Sequence, residues 1–148
     1  TTDGQFPSLE RRPYESNAPI SAPEALPAAP TELPTELQTK VDALIRRHAA
    51  AQADYQRKLP AVQALASRAS GSAPGTESWV NAHLELSRLD DSRADSVAVV
   101  REFDSLIADQ GKTDSSLVPL LSNAQQPVAD MIAGQNAEIN RLSRLIGE

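Results

Sequence analysis

Cysteine is absent from this sequence, aromatic residues are scarce, and strand-forming patterns are almost missing. Without cysteine the chain cannot form a disulfide, a thiolate zinc site or a cysteine nucleophile. Aromatic residues make up only 3% of the chain, and alanine is the commonest apolar residue. Because alanine has the highest helix propensity and fits narrow seams between close helices, the composition predicts an all-α protein.

Concentrated positive charge and long apolar runs are also missing. The formal net charge is −6, and the longest basic runs are Arg11-Arg12 and Arg46-Arg47. A protein that binds nucleic acid needs a basic surface against the phosphates, so we expect no nucleic-acid partner. No stretch approaches the roughly 20 consecutive apolar residues that a membrane-spanning helix requires.

What the sequence does contain begins with a proline-rich stretch at residues 1–34. Seven of the eleven prolines fall here, and this spacing forbids a helix and favours extended backbone. A flexible tether is one interpretation. The alternative is an N-terminal arm that docks on its own chain or on a partner, with Phe6, Leu9 and Tyr14 among its apolar anchors.

Three later stretches carry apolar residues at alternating steps of three and four, which is the spacing of an amphipathic helix. They cover residues 35–70, 76–110 and 114–147, and two short turns join them. Equal lengths with short turns predict an elongated, antiparallel three-helix bundle that runs up, down and up. A coiled-coil hairpin that completes its core as a homodimer is the alternative.

Prolines and charges mark the weak points of these helices. We expect a kink or short break near Pro60 in the first helix and a bend before Pro127 in the third, because proline removes a backbone hydrogen bond. In the middle helix, residues 90–96 are densely charged and place Arg93 and Ser96 on the apolar seam. This junction is expected to be a kink or a solvated segment.

The ends of the middle helix also carry signals. Thr76 follows a turn and precedes the apolar pattern, so we expect it to be the N-cap. Gly111 is expected to end the helix in the left-handed conformation that glycine adopts readily.

No set of residues forms a recognised catalytic or metal-binding pattern. His48 and His83 fall about 15 residues apart along the predicted hairpin, roughly 22 Å, which is too far for both to bind one ion. Neither Glu-x-x-His nor Gly-x-Ser-x-Gly occurs, so bundle di-iron and hydrolase patterns are missing. We therefore expect no catalytic residue, no metal and no cofactor, and we interpret His48 as a hydrogen-bonded structural residue.

Arg93 is the most informative residue of the helical region. A long cation on an apolar seam either extends its charged end to solvent, which is the commoner outcome, or pairs with a carboxylate of another helix. A binding module that holds a small apolar or anionic ligand within the bundle, through Arg93 and Trp79, is the alternative function.

Two stretches carry a resemblance to a known family. The first is GQFPSL at residues 4–9, followed by Arg12, Pro13 and Glu15, and the second is SAPG at 72–75, followed by WVNA at 79–82 and LSRLD at 86–90. In these stretches the chain resembles small uncharacterised alphaproteobacterial envelope lipoproteins of the sphingomonad type. The resemblance implies export and attachment through a lipidated cysteine that would precede Thr1.

The predicted function is therefore non-enzymatic. We expect an envelope-associated, periplasmic helical protein that acts as a structural or protein-interaction module. Its expected partners are a protein and, only through the implied lipid anchor, the membrane. The residues expected to contact the partner or the docked arm are Phe6, Leu9, Tyr14, Trp79 and Arg93.

Overall fold

A computed structural model describes residues 30–147 of the chain. Its helices are α1, Thr35–Ala69; α2, Glu77–Asp91; α3, Ala94–Thr113; and α4, Val118–Ile146, with a 3-10 turn at Ser115–Leu117. Only two residues separate α2 from α3, so we call them together the middle arm. No strand occurs in the range described, and the predicted all-α three-helix bundle is confirmed.

The helices belong to one compact unit, Glu32–Glu148. The predicted bundle started at residue 35, where α1 begins. The predicted N-terminal anchors Phe6, Leu9 and Tyr14 lie outside the described residues.

The directions of the helices follow from which segments share a core. The first part of α1 packs with α3 and its last part packs with α2, so α1 and the middle arm are antiparallel. Along α4, Met131 contacts Gln52 and Glu138 contacts Gln63. Both members of these pairs advance together, so α1 and α4 are parallel, and the bundle runs up, down and up as predicted.

The core consists of two apolar clusters. The Phe103 cluster joins the start of α1 to α3, the 3-10 turn and the first half of α4; its members are Leu37, Val41, Leu44, Val99, Phe103, Leu117, Leu121 and Val128. The Leu89 cluster joins the end of α1 to α2 and the end of α4; its members are Tyr55, Val62, Ala66, Ala69, Ala82, Leu86, Leu89, Leu142 and Ile146. Three fully buried alanines in this second cluster let the helices approach closely.

The middle arm is interrupted at Ser92 and Arg93, within the charged junction at residues 90–96 where a kink or solvated segment was expected. Ser92 donates its N–H to the carbonyls of Arg88 and Leu89 at 3.1 and 3.2 Å, and its hydroxyl donates to Leu89 at 2.6 Å. Both junction residues keep right-handed helical backbone. The helix predicted over 76–110 is therefore two helices joined by a short irregular step.

Neither Pro60 nor Pro127 interrupts its helix, since α1 and α4 continue through them. Both prolines lie on exposed positions. A carbonyl that loses its helical partner on the outer face of a helix can bond to water instead, which explains why the two helices tolerate proline there.

The cap at Thr76 is confirmed, because its hydroxyl accepts the N–H of Trp79 at 3.4 Å. The left-handed conformation predicted for Gly111 is wrong. Gly111 lies inside α3, and the helix ends at Thr113 because Asp114 adopts a non-helical backbone. The Asp114 carboxylate then accepts the N–H of Ser116 at 3.2 Å and caps the 3-10 turn.

Candidate functional site

Polar side chains from α1, the middle arm and α4 lie in the core between the two apolar clusters. We call this region the polar section and define it by five residues: His48 and Tyr55 of α1, Arg93 and Ser96 of the middle arm, and Gln135 of α4. Each occupies a position on the apolar seam of its helix. Tyr55 is also a member of the Leu89 cluster.

His48 and Ser96 form the one buried hydrogen bond between side chains of α1 and α3 within the described residues. Nδ1 of His48 lies 2.8 Å from Oγ of Ser96, and both residues are buried. Burial lowers the pKa of His48, because removal from water disfavours the charged imidazolium. The predicted hydrogen bond of His48 is confirmed.

The side chain of Arg93 pairs with a residue of the middle arm, to which it belongs, and not with another of the helices described. Its side chain is only 11% exposed, and Nε and Nη2 donate to Oδ1 of Asp90 at 3.2 and 2.8 Å. The expectation that Arg93 extends to solvent is wrong, because Asp90 lies one helical turn earlier and holds the guanidinium group against α2. Nη1 is buried and has no hydrogen-bond partner among the residues described.

Tyr55 and Gln135 complete the polar section with further unpartnered atoms. Tyr55 is 2% exposed and Gln135 is 4% exposed. The hydroxyl of Tyr55 and both amide atoms of Gln135 have no hydrogen-bond partner within residues 30–147. Burial is the main cause that raises the pKa of Tyr55, followed by the charge of Glu138. The hydroxyl therefore stays protonated at neutral pH and can donate a hydrogen bond.

A groove between α1 and α4 lies over Tyr55 and Gln135. Its volume is about 450 Å³, and its other lining residues are Gln56, Leu59, Gln63, Pro127, Asp130, Met131, Gly134 and Glu138. Since Tyr55 and Gln135 are almost fully buried, they form the floor of the groove. The walls combine apolar side chains with amides and two carboxylates.

Glu138 on the wall of this groove is already engaged. It accepts hydrogen bonds from Arg141 at 2.7 Å and from Gln63 at 3.1 Å. These two bonds, with that from Arg141 the larger cause, lower the pKa of Glu138. The wall therefore carries an ionised carboxylate at neutral pH.

A second groove, of about 340 Å³, lies between α1 and α3. It is lined by Lys40, Ala43, Leu44, Arg47, Glu102, Ser105 and Leu106. Arg47 bonds to Glu102 at 2.5 Å and lies 3.8 Å from Asp95. These exposed ion pairs link α1 to α3, and the groove contains no unpartnered buried polar atom within the described residues.

Trp79 connects the beginning of α2 to the end of α4. Its Nε1–H donates to the carbonyl of Gly147 at 2.7 Å, and Nε2 of His83 bonds to the same carbonyl at 3.0 Å. The two rings lie 4.4 Å apart in an edge-on arrangement. Arg93 lies about 21 Å farther along the arm at the helical rise. The structure therefore does not bring Trp79 and Arg93 together.

Two large apolar side chains project from the outer face of α2. Val80 and Leu84 are each 46% exposed and lie one helical turn apart, beside Trp79 in the sequence. They are not on the seam that packs against α1 and α4, so sequence reasoning that followed the seam missed them. Their spacing of four residues was the available signal.

Sequence reasoning also missed the joint role of Tyr55 and Gln135. Both lie at positions of the three-and-four spacing that predicts the helices. The signal was their polarity at buried seam positions, which they share with His48 and Ser96. That these residues from different helices lie in one section of the core became visible only in the structure.

Residues 30–147 contain neither a cluster of metal ligands nor a membrane-spanning helix. No three carboxylate or histidine side chains in this range come together in a way that would hold a metal ion. None of its helices has both the length and the apolar content needed to cross a bilayer.

No protein-family model, curated protein or solved structure matches this chain, which leaves the geometry of its own residues as the basis for a function.

Proposed function

We propose that this chain is a non-enzymatic, envelope-associated helical protein that presents an apolar helix face to a protein partner. The observation that carries the proposal is the outer face of α2, where Val80 and Leu84 are each nearly half exposed. Single exposed apolar residues are ordinary on protein surfaces. Two large ones at i and i+4 form the anchor spacing with which a helix binds in an apolar groove of another protein.

The face is also held rigidly. On the opposite side of α2, Ala82, Leu86 and Leu89 are buried in the Leu89 cluster. Trp79 and His83 fix the start of the helix to Gly147. Because the face is ordered before binding, association loses little conformational entropy, which favours affinity.

The envelope location is supported by the resemblance of residues 4–9 and 72–90 to envelope lipoproteins. That resemblance implies a lipid anchor ahead of Thr1, so residues 1–34 would connect the bundle to the membrane. Phe6, Leu9 and Tyr14 are the proposed contacts of this arm with a partner or with the bundle.

Site-specific photo-crosslinking in producing cells tests the partner. A photoreactive residue at Leu84 should crosslink to a defined protein, whereas one at the exposed Ile45 of α1 should not. The purified partner should then bind the intact chain, and the double variant Val80→Lys/Leu84→Lys should lose that binding while Ile45→Lys keeps it. Binding that survives the double variant, or crosslinks only to a second copy of this chain, would contradict the proposal.

Removing residues 1–34, together with the lipid anchor that would precede them, tests the location in the same cells. We expect the shortened chain to leave the membrane fraction. If its partners and its membrane retention are both unchanged, the envelope-associated part of the proposal is wrong, and the crosslinking result at Leu84 still decides the remaining part.

A further inference from the structure

The groove between α1 and α4 has several features, each of which lowers the stability of the fold. The floor contains the hydroxyl of Tyr55 and the amide of Gln135, all three of whose polar atoms are buried without a partner among the described residues. Buried polar groups are nearly always hydrogen-bonded in folded proteins, and an exception calls for an explanation. An apolar side chain at either position would avoid the cost.

Gly134 on the groove wall adds to this cost. It lies in the interior of α4, where glycine is less favourable than alanine, and its backbone is not left-handed. A Cβ atom placed there would meet nothing within 4 Å. Neither packing nor backbone geometry therefore requires glycine, but its absence of a side chain keeps the groove open beside Gln135.

Proline at position 127 is a further unfavourable choice on the same groove. Residues that destabilise the fold locally are expected at functional sites, where they serve function at a cost in stability. Elsewhere in the core, the Phe103 cluster shows ordinary apolar packing. The groove combines these choices with the unpartnered polar atoms of Tyr55 and Gln135 on its floor, and this combination indicates a binding site.

The unpartnered amide indicates what the ligand is. Gln135 offers N–H donors and a carbonyl acceptor. A carboxamide ligand complements both, since its carbonyl accepts from Nε2 while its N–H donates to Oε1. A carboxylate has no donor for Oε1 and would face the carboxylates of Asp130 and Glu138 on the groove wall.

Access to the amide requires one side-chain movement. The amide atoms of Gln135 lie below the groove surface, and because they hold no hydrogen bond, rotation toward the groove breaks none. The hydroxyl of Tyr55 is a second donor on the floor. Leu59, Pro127 and Met131 would contact the apolar part of a ligand.

We propose that the groove between α1 and α4 is a binding site for a small, neutral carboxamide, which pairs with the side-chain amide of Gln135. This site lies on a different face from the Val80 and Leu84 surface, so it goes beyond the proposed function and does not depend on it.

The test is a titration of the intact chain with benzamide, followed by NMR. The signals to follow are the side-chain amide of Gln135 and the ε-methyl group of Met131. We expect saturable shifts of both, with a Kd of about 1 mM, which is reasonable for a ligand of this size. Benzoate, which has the same ring and a carboxylate, should bind at least about tenfold more weakly.

Matched glycine variants locate the binding. Gly134→Leu places a side chain across the groove and should weaken benzamide binding by at least about tenfold. Gly111→Leu is the control, since Gly111 is also helical and a Cβ atom there would likewise meet nothing within 4 Å, but it lies in α3 outside the groove. It should keep the wild-type Kd.

Three results would overturn the proposal: no saturable shift with benzamide, equal affinity for benzoate, or unchanged binding by Gly134→Leu. Gln135→Leu should abolish the benzamide shift at Met131 while the protein stays folded. Should that variant not fold, the pair of glycine variants still decides the question, because both substitutions place a helix-forming residue on an exposed helix position.

Discussion

The Phe103 cluster and the polar section are neighbouring parts of one core, and they are built differently. Phe103, Val99 and Leu121 are fully buried among other apolar side chains. In the polar section, His48 and Ser96 have each other, Arg93 has Asp90 for part of its guanidinium group, and Gln135 has no partner in the described residues. Burial of apolar side chains stabilises the first region. In the second region, buried polar atoms without a partner offset part of that stabilisation.

The difference suggests a division of roles. Apolar packing tolerates many alternative alignments of the helices, because carbon contacts are not directional. The His48–Ser96 bond is directional, and sliding α3 by one turn along α1 would leave both buried groups unpaired. Polar residues in a core can specify alignment at a cost in stability. We therefore expect the apolar clusters to determine how stable the bundle is, and the polar section to determine its alignment and binding.

The largest expected effect comes from truncating the apolar side. Phe103→Ala should lower the free energy of unfolding by about 3–5 kcal/mol, because it removes a fully buried ring and leaves a cavity. Urea unfolding followed by circular dichroism measures the loss. Arg46→Ala, on an exposed position of α1, is the control and should change stability by less than about 0.5 kcal/mol. A loss below about 1 kcal/mol for Phe103→Ala would contradict the comparison.

Breaking the buried hydrogen bond of the polar section should have the next largest effect. Ser96→Ala leaves Nδ1 of His48 buried without its partner, which should cost about 1–3 kcal/mol. The same urea unfolding experiment applies. Ser105→Ala, on the exposed face of α3, should stay within about 0.5 kcal/mol of the wild type. Equal values for the two serine variants would show that the His48–Ser96 bond contributes nothing.

A smaller effect should appear as a pH dependence. Burial lowers the pKa of His48 in the folded state, so between that value and its ordinary value of about 6.5 the unfolded chain binds more protons. Stability should therefore rise with pH in this window and be lost as pH falls below about 6.5. Unfolding free energies measured from pH 5 to 8 test this.

The control for the pH experiment is His48→Gln, which cannot titrate. It should flatten the slope between pH 5 and 7 relative to the wild type. Asp54 and Glu138 do not interfere. The hydrogen bond from Lys58 is the main cause that lowers the pKa of Asp54, and the hydrogen bonds from Arg141 and then Gln63 lower the pKa of Glu138. Their contribution is lost only at a lower pH. A wild-type slope that persists in His48→Gln would assign the effect to another group.

The comparison also shows what could be predicted from the sequence. The alternation of three and four predicted the helices, because one apolar stripe per helix must face the core. Their equal lengths and the short turns between them predicted their directions. It did not predict that Gly111 would remain helical, since the backbone of Asp114 determines where α3 ends. Polar seam positions such as Gln135 were visible in the sequence. Their neighbours were not, because those depend on the alignment of three helices that are distant in the chain.

The smallest expected effect tests whether the boundary of the polar section is truly unsatisfied. Tyr55→Phe keeps the buried ring and removes a hydroxyl without a partner among the described residues. Stability should stay equal or rise by up to about 1 kcal/mol, because no hydrogen bond is lost and the cost of burying the hydroxyl disappears. Gln56→Ala, an exposed neighbour, controls for a general effect at this level of α1. A loss above about 1 kcal/mol would mean that the hydroxyl is bonded in solution. Of the two residues on the floor of the groove, Gln135 alone would then lack a partner among the described residues.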